Sequence, residues 1–260
     1  MLALHRLLLT RTPGLYFHVR NVGRKVVGTR RNQRRLFSEL VHPGDLVLDV
    51  GANIGEFTAA FRDLAARVVA VEPQPRLSEH LHRRFRADDG VTVVQTAVSD
   101  HAGEALLFCT TADALATLEE ERVTGATGAG AELEWGTSIT VPLNTLDTLV
   151  AEHGAPTLVK IDVEGHELGA LRGLTTVRPS VFFEVNRPGA YEVLDLLAER
   201  GYTEFLLRLG ERPDWVTRRV MSAAEARDHI AGTPDHCDCL ALSPDPDVSA
   251  SRRPAPAPGG

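Results

Sequence analysis

Apolar and polar positions alternate along this chain in two rhythms. Leu46–Val50, Val68–Glu72, Val91–Thr96, Leu158–Val163 and Val181–Val185 are short, nearly unbroken apolar runs, the pattern of strands covered on both faces. Between them apolar residues recur at helical spacing. Helices are predicted over about Gly55–Ala66, over Pro75–Arg86 with Leu77, Leu81 and Phe85 on one stripe, around Leu168 and Leu171, and over Tyr191–Glu199. Regular strand-helix alternation predicts an α/β fold, a doubly wound parallel sheet with helices on both faces. Two later runs, Thr203–Leu209 and Cys237–Leu242, predict an antiparallel pair at its edge.

The rhythm breaks between about 100 and 156. Here the pattern predicts a hairpin, Ala105–Cys109 against Ile139–Leu143, around a T-G-A-T-G-A-G centre at 124–130. Segments of this length inside a compact domain are either lids and binding loops or excursions without a task, and the pattern leaves both open. At the far end, 244–260 is rich in Pro, Ala and Gly, with Val248 its one large apolar residue, which predicts a disordered tail. The division read from sequence is therefore a basic extension over 1–38, a domain over 39–243 carrying the insertion, and the tail.

Composition narrows the class. The 260 residues are 43% hydrophobic and 24% charged, values of an ordinary globular chain. No run approaches the ~18 apolar residues of a membrane span, and Leu7–Leu9 is too short for a secretory leader. Three cysteines cannot build a disulfide framework and leave a thiol over, so a cytoplasmic setting is expected. The net charge of -7 is unevenly spread: residues 1–38 hold nine Lys/Arg and no acid. Such an arm either attracts an anionic partner or is a solvated helix packed on its own domain.

The strongest local signal is L-V-L-D-V-G-A-N-I-G at 46–55, an apolar strand entering a turn with Gly51 and Gly55. Glycines let a ligand approach the backbone, and the helix that follows offers oriented N–H groups. Glu72 stands 21 positions beyond Gly51, after the second strand, the spacing of a carboxylate that accepts from ribose hydroxyls. A dinucleotide site expects G-x-G-x-x-G, and Asn53 stands where the second glycine belongs. Asp49 adds a negative charge that disfavours a pyrophosphate and favours a sulfonium. S-adenosylmethionine therefore suits the turn better than NAD. An NAD-dependent oxidoreductase and a catalytically silent cofactor-binding module stay as alternatives.

The turn D49-V-G-A-N-I-G55, the pair Glu72-Pro73, A97-V-S-D100, L-N-T-L-D-T-L at 143–149 and K160-I-D-V-E-G-H-E167 occur in this order, and with them the chain resembles the FkbM family of S-adenosylmethionine-dependent methyltransferases. That resemblance implies a class I, Rossmann-like sheet of seven strands in order 3-2-1-4-5-7-6, the last antiparallel. It implies O-methylation of a hydroxyl on a natural product or sugar, free, glycosylated or carrier-linked, with no nucleic acid as acceptor. It also implies residue roles. Asp49, Gly51, Ala52, Asn53 and Gly55 would hold the methionine part, Glu72 and Pro73 the ribose, and Ala97, Val98 and Asp100 the adenine, with Asp162 facing the transferable methyl.

Methyl transfer is an in-line displacement, so the oxygen must be aligned and its proton removed. Asp162, His166, Glu164 and Glu184 are the candidate bases, with Glu184 and Asn186 alternatively shaping the acceptor pocket. A Lys160–Asp162 ion pair within the sheet is the plainer reading of those two charges. H236-C-D-C239 has poor spacing for zinc and reads as the final strand, so no metal is assigned.

Overall fold

A computed structural model describes residues 26–110, 116–119, 135–185, 189–209, 215–216, 219–232 and 237–249. Seven strands form the main sheet: β1 (Leu46–Val50), β2 (Arg67–Val71), β3 (Val91–Val94), β8 (Leu158–Ile161), β9 (Ser180–Glu184), β10 (Phe205–Leu209) and β11 (Cys237–Ala241). They lie in the order β10-β11-β9-β8-β1-β2-β3. In main-sheet numbering this is 3-2-1-4-5-7-6. Strand β11 runs antiparallel to both β9 and β10, and the other pairs are parallel. The order thus agrees with the one the family resemblance implies, and of the two late apolar runs β11 is its antiparallel strand, lying between β9 and the edge strand β10.

The reason lies in the strands themselves. Leu46, Val47, Leu48 and Val50 are buried, alternate residues belonging to two different apolar clusters on the two faces of the sheet. A strand apolar on both sides is stable only between two layers of helices. Crossover helices supply them: α2 (Glu56–Arg62), α3 (Pro75–Arg84), α5 (Glu167–Arg172) and α6 (Gly189–Glu199), with α7 (Ala223–Ala231) against β10. The first two are shorter than predicted. α2 stops at Arg62 because Ala65, at φ 60, leaves the helical region.

The insertion is a second sheet, ordered β4-β7-β5-β6, of β4 (Ala97–Val98), β5 (Gly103–Thr110), β6 (Ala116–Thr117) and β7 (Trp135–Asn144). The predicted hairpin is its centre, with Ala105 opposite Val141 and Leu107 opposite Ile139. Leu107, Cys109, Val141, Leu143 and Ala97 make its own small core. Helix α4 (Leu146–His153), capped by the Thr145 hydroxyl accepting from the Thr148 N–H, returns the chain to β8.

The outer segments differ from the charge-based division. Helix α1 (Val26–Phe37) is part of the domain: Leu36 and Phe37 are buried, and the Phe37 ring meets Phe61 and Phe182 with centroids 5.0 Å apart. Arg30 pairs with Asp63 on α2, while Arg31, Arg34 and Arg35 face outward. Residues 26–37 thus form a helix lying on the domain, and 1–25 lie outside the described residues. At the other end 244–249 is ordered, closing in the turn α8 (Pro246–Ser249) with Arg178 paired to Asp245. The predicted disordered tail concerns 250–260, also outside the described residues.

Candidate functional site

At the carboxyl ends of β1, β2 and β8 lies an open cleft bordered by Gly51, Asn53, Glu72, Pro73, Asp162 and Glu164 among others. This is the edge where parallel α/β sheets bind ligands. Its floor is the turn after β1. Gly51, at φ 73, passes so close to β8 that an added Cβ would lie 1.9 Å from the Asp162 carbonyl oxygen. Gly55 answers to packing instead: a Cβ there would lie 2.7 Å from both Leu81 and Phe85 on or beside α3. One glycine admits a strand and the other a helix, and Asn53, at φ 51, takes the left-handed position that asparagine tolerates.

Two buried acids flank this turn and behave differently. Glu72 borders the cleft at 3% exposure; its Oε2 accepts from the Asn53 N–H at 2.8 Å and its Oε1 from the Gln74 N–H at 3.0 Å. Burial pushes its pKa up to about 7 against the lowering effect of those two amides. Asp49, at 0% exposure, does not reach the cleft. Its Oδ2 accepts from the Thr58 hydroxyl at 2.6 Å, and its Oδ1 lies 3.3 Å from the Lys160 ammonium. The sequence expectation that Asp49 faces the cofactor is corrected: it anchors the turn from beneath. The reason is register, since Asp49 sits opposite Ala70 and Lys160 in the middle of the sheet.

Lys160 is the hub. Its Nζ donates to the Gly51 carbonyl at 2.8 Å, reaches the Val50 carbonyl at 3.3 Å and stands 3.7 Å from Asp162 Oδ2. The Lys160–Asp162 pair thus exists as the plainer reading of the sequence had it. It leaves Asp162 available, because that side chain is 39% exposed and borders the cleft.

Past Asp162 the chain makes a tight loop into α5. Glu164 takes φ 56 and Gly165 φ 104, and the Glu167 carboxylate accepts from the Val163 and Gly165 N–H groups. Carboxylate oxygens of Asp162, Glu164 and Glu184 lie within 4.8 Å of one another, an acidic mouth to the cleft. His166 borders the cleft, yet both ring nitrogens are engaged: Nδ1 stands 2.6 Å from Glu119 Oε1 and Nε2 2.9 Å from Ser99 Oγ.

The opposite wall is apolar and comes from the second sheet: Ala97, Val98, Leu107, Ala116, Thr117 and Leu118. Of the sequence candidates, Gly51, Asn53, Glu72, Pro73, Ala97, Val98, Asp162, Glu164 and His166 meet at the cleft. Glu184 joins from β9 through the acidic mouth. Ala52 and Gly55 serve packing beside α3, and Asp100 points away, its carboxylate held by His101 at 2.6 Å. Asp100 misses because the chain turns at β4 into the second sheet. Asn186 and His236 lie outside the described residues; Cys237 and Cys239 are buried in β11, as the strand reading expects. Leu107, Thr117, Leu118 and Glu119 were missed, and Ser99, inside the A97-V-S-D100 motif, was given no role of its own. The alternation of 105–109 could have pointed to Leu107; Thr117, Leu118 and Glu119 carry no sequence signal.

A seven-stranded sheet in this order, with a glycine turn and an acid at the ends of its first two strands, defines a class I Rossmann-like methyltransferase. The chain belongs to the FkbM methyltransferases: the model of the methyltransferase FkbM domain matches residues 49–204. S-adenosylmethionine is the methyl donor of this family and fold, and the residues present suit it. Gly51 leaves the turn without a side chain where a ligand approaches, and Glu72 offers a desolvated carboxylate fixed by two amides.

Among curated proteins the chain is 31% identical over 192 residues to the hexuronic acid methyltransferase AglP of Haloferax volcanii, covering 71% of this chain and 74% of that one. It is 28% identical over 182 residues to the ribosomal RNA small subunit methyltransferase A of Rhodococcus erythropolis, covering 66% of this chain and 55% of that one. Among solved structures, precorrin-6y C5,15-methyltransferase from Geobacter metallireducens shares 11% identity at a TM-score of 0.41, covering 81% of this chain and 87% of that one. Among the described residues no helix is long and apolar enough to cross a membrane.

Proposed function

We propose that this chain transfers a methyl group to a hydroxyl oxygen of a small-molecule acceptor, a sugar or sugar-bearing natural product, free or carrier-linked. The observation that carries the reading is that one cleft joins the Glu72 carboxylate and the bare turn at Gly51 to the half-exposed Asp162. In this reading Glu72 accepts from the ribose hydroxyls, while the apolar wall of Ala97, Val98 and Leu107 takes the flat base. S-adenosylmethionine, when bound, supplies an electrophilic methyl on a sulfonium sulphur.

Asp162, steered by Lys160, orients the acceptor hydroxyl and takes up its proton as the oxygen gains the methyl. His166, with both nitrogens engaged, is the weaker of the candidate bases. Glu164 and Glu184 border the acceptor side; their charge favours neutral hydroxyls at the mouth and opposes a polyphosphate acceptor such as RNA. The likeness to a hexuronic acid methyltransferase directs the choice of first acceptors. Calorimetry with S-adenosylhomocysteine, followed by mass spectrometry of product on hexuronic-acid-containing and neutral glycans, tests both halves. Absence of nucleoside binding would end the reading, and methylation of nitrogen alone would replace its O-transfer half.

A further inference from the structure

We propose that Glu119, carried by the second sheet, is a positioning residue that fixes the acceptor-side loop 162–167 through the ring of His166. The proposal rests on the reading of the cleft as a methyl-transfer site.

His166 occupies the N-cap position of α5, but its side chain makes no capping bond to that helix. Its ring is turned instead toward the second sheet. Ser99 follows β4 and Glu119 follows β6, so partners 67 and 47 positions away grip opposite edges of one imidazole. A carboxylate only accepts, so Nδ1 carries the proton toward Glu119; Nε2 lies 2.9 Å from Ser99 Oγ, whose hydroxyl is also placed 3.3 Å from Asp100 Oδ1. The ring is thereby a crosspiece between two sheets.

A second bond follows the same route. The Thr117 hydroxyl donates to the Glu164 carbonyl at 2.9 Å, and its oxygen accepts from the Glu119 N–H at 3.0 Å. It thus holds the left-handed, non-glycine Glu164 from across the cleft while orienting Glu119 itself. Space for the ring is built in as well. Gly169, within α5, stands where a Cβ would lie 2.4 Å from His166 Nε2, so a larger residue there would push the imidazole off Ser99. Glycine is a poor helix former, and its presence inside a short helix is accounted for by this ring. Three independent observations therefore point the same way. The described part of the insertion sets the loop that carries Asp162 and Glu164.

The test is amide hydrogen exchange on the whole protein, paired with calorimetry using S-adenosylhomocysteine. Glu119→Ala is expected to speed exchange at Val163 and Gly165 about tenfold while leaving β1 and β2 unchanged and nucleoside affinity within about twofold. Glu119→Gln, whose amide oxygen still accepts from Nδ1, restores the wild-type pattern. Gly169→Ala, which favours the helix by its own propensity, reproduces the Glu119→Ala pattern. Unchanged exchange at 163–165 in Glu119→Ala overturns the proposal, and so does a rise spread evenly over β1, β2 and β8. If the wild-type protein binds no nucleoside, the methyl-transfer reading fails while the exchange pattern still decides the role of Glu119 in the loop.

Discussion

The two walls of the cleft are built on different principles. The main-sheet wall is part of the core: β1 and β8 touch so closely at Gly51 and Asp162 that no side chain fits between them, and a buried ammonium ties their ends together. The second-sheet wall has its own small core and leaves Leu106 53% exposed on its outer side. Thr117, Glu119 and Ser99 link it to the loop 162–167. The main-sheet wall is therefore fixed by the same contacts that hold the sheet, whereas the second-sheet wall can be altered without dismantling the fold.

The comparison breaks most sharply at the first wall. Gly51→Ala forces a Cβ against the Asp162 carbonyl in a left-handed conformation, and a loss of at least ~3 kcal/mol is expected in urea denaturation. A loss below ~1 kcal/mol would mean the two strands separate more easily than their contact implies. Lys160→Met strands Asp49 without its cation and is expected to cost ~3 kcal/mol or more, read in the same experiment.

Glu72→Ala should weaken S-adenosylhomocysteine by ~1 to 3 kcal/mol in calorimetry while unfolding at nearly the wild-type urea concentration. Equal nucleoside affinity would remove Glu72 from the ribose.

A pH series sharpens the contrast between holding the fold and holding the ligand. Burial raises Glu72, Glu167 and Asp238 each to about 7. From about pH 4.5 to about 7 the folded chain therefore binds more protons than the unfolded one, and these groups make stability fall as pH rises through that window. Nucleoside binding, which needs the ionised Glu72, should run the other way and weaken as pH drops below about 7. The ligand-free melting temperature should be higher near pH 5.5 than near pH 8, and the gap should narrow with S-adenosylhomocysteine present. A melting temperature that climbs across this window would contradict the assignment. At the second wall, Leu106→Ser should change stability by no more than ~0.5 kcal/mol in thermal melts.

What could be read from the sequence follows the same divide. The main-sheet strands are legible because residues apolar on both faces, such as Leu46–Val50, have few alternatives to a buried parallel strand. Gly51, Glu72 and Asp162 could be placed at one edge because parallel crossover connections bring all strand ends to the same side. Asp49 was misjudged because its contacts, Thr58 and Lys160, depend on strand register, which no local pattern reports. The bracket from Glu119 to His166 was invisible for a related reason: it joins two sheets across 47 residues, and β4 and β6 are two residues long. Helix α1 was legible only as one of two readings of the basic arm, because its arginines outnumber the inward Gln33, Leu36 and Phe37.

That helix has a practical consequence for anyone shortening the chain. Phe37, Phe57, Phe61 and Phe182 are stacked into a single aromatic knot, and the Lys160 ammonium rests 5.2 Å from the Phe57 ring. A cut at residue 38, where the run of positive charge ends, would strip the lid from that knot and leave oily rings facing water one side chain away from the ammonium that braces the turn at Gly51. The working unit thus takes in helix α1, and it is ring packing that holds it there.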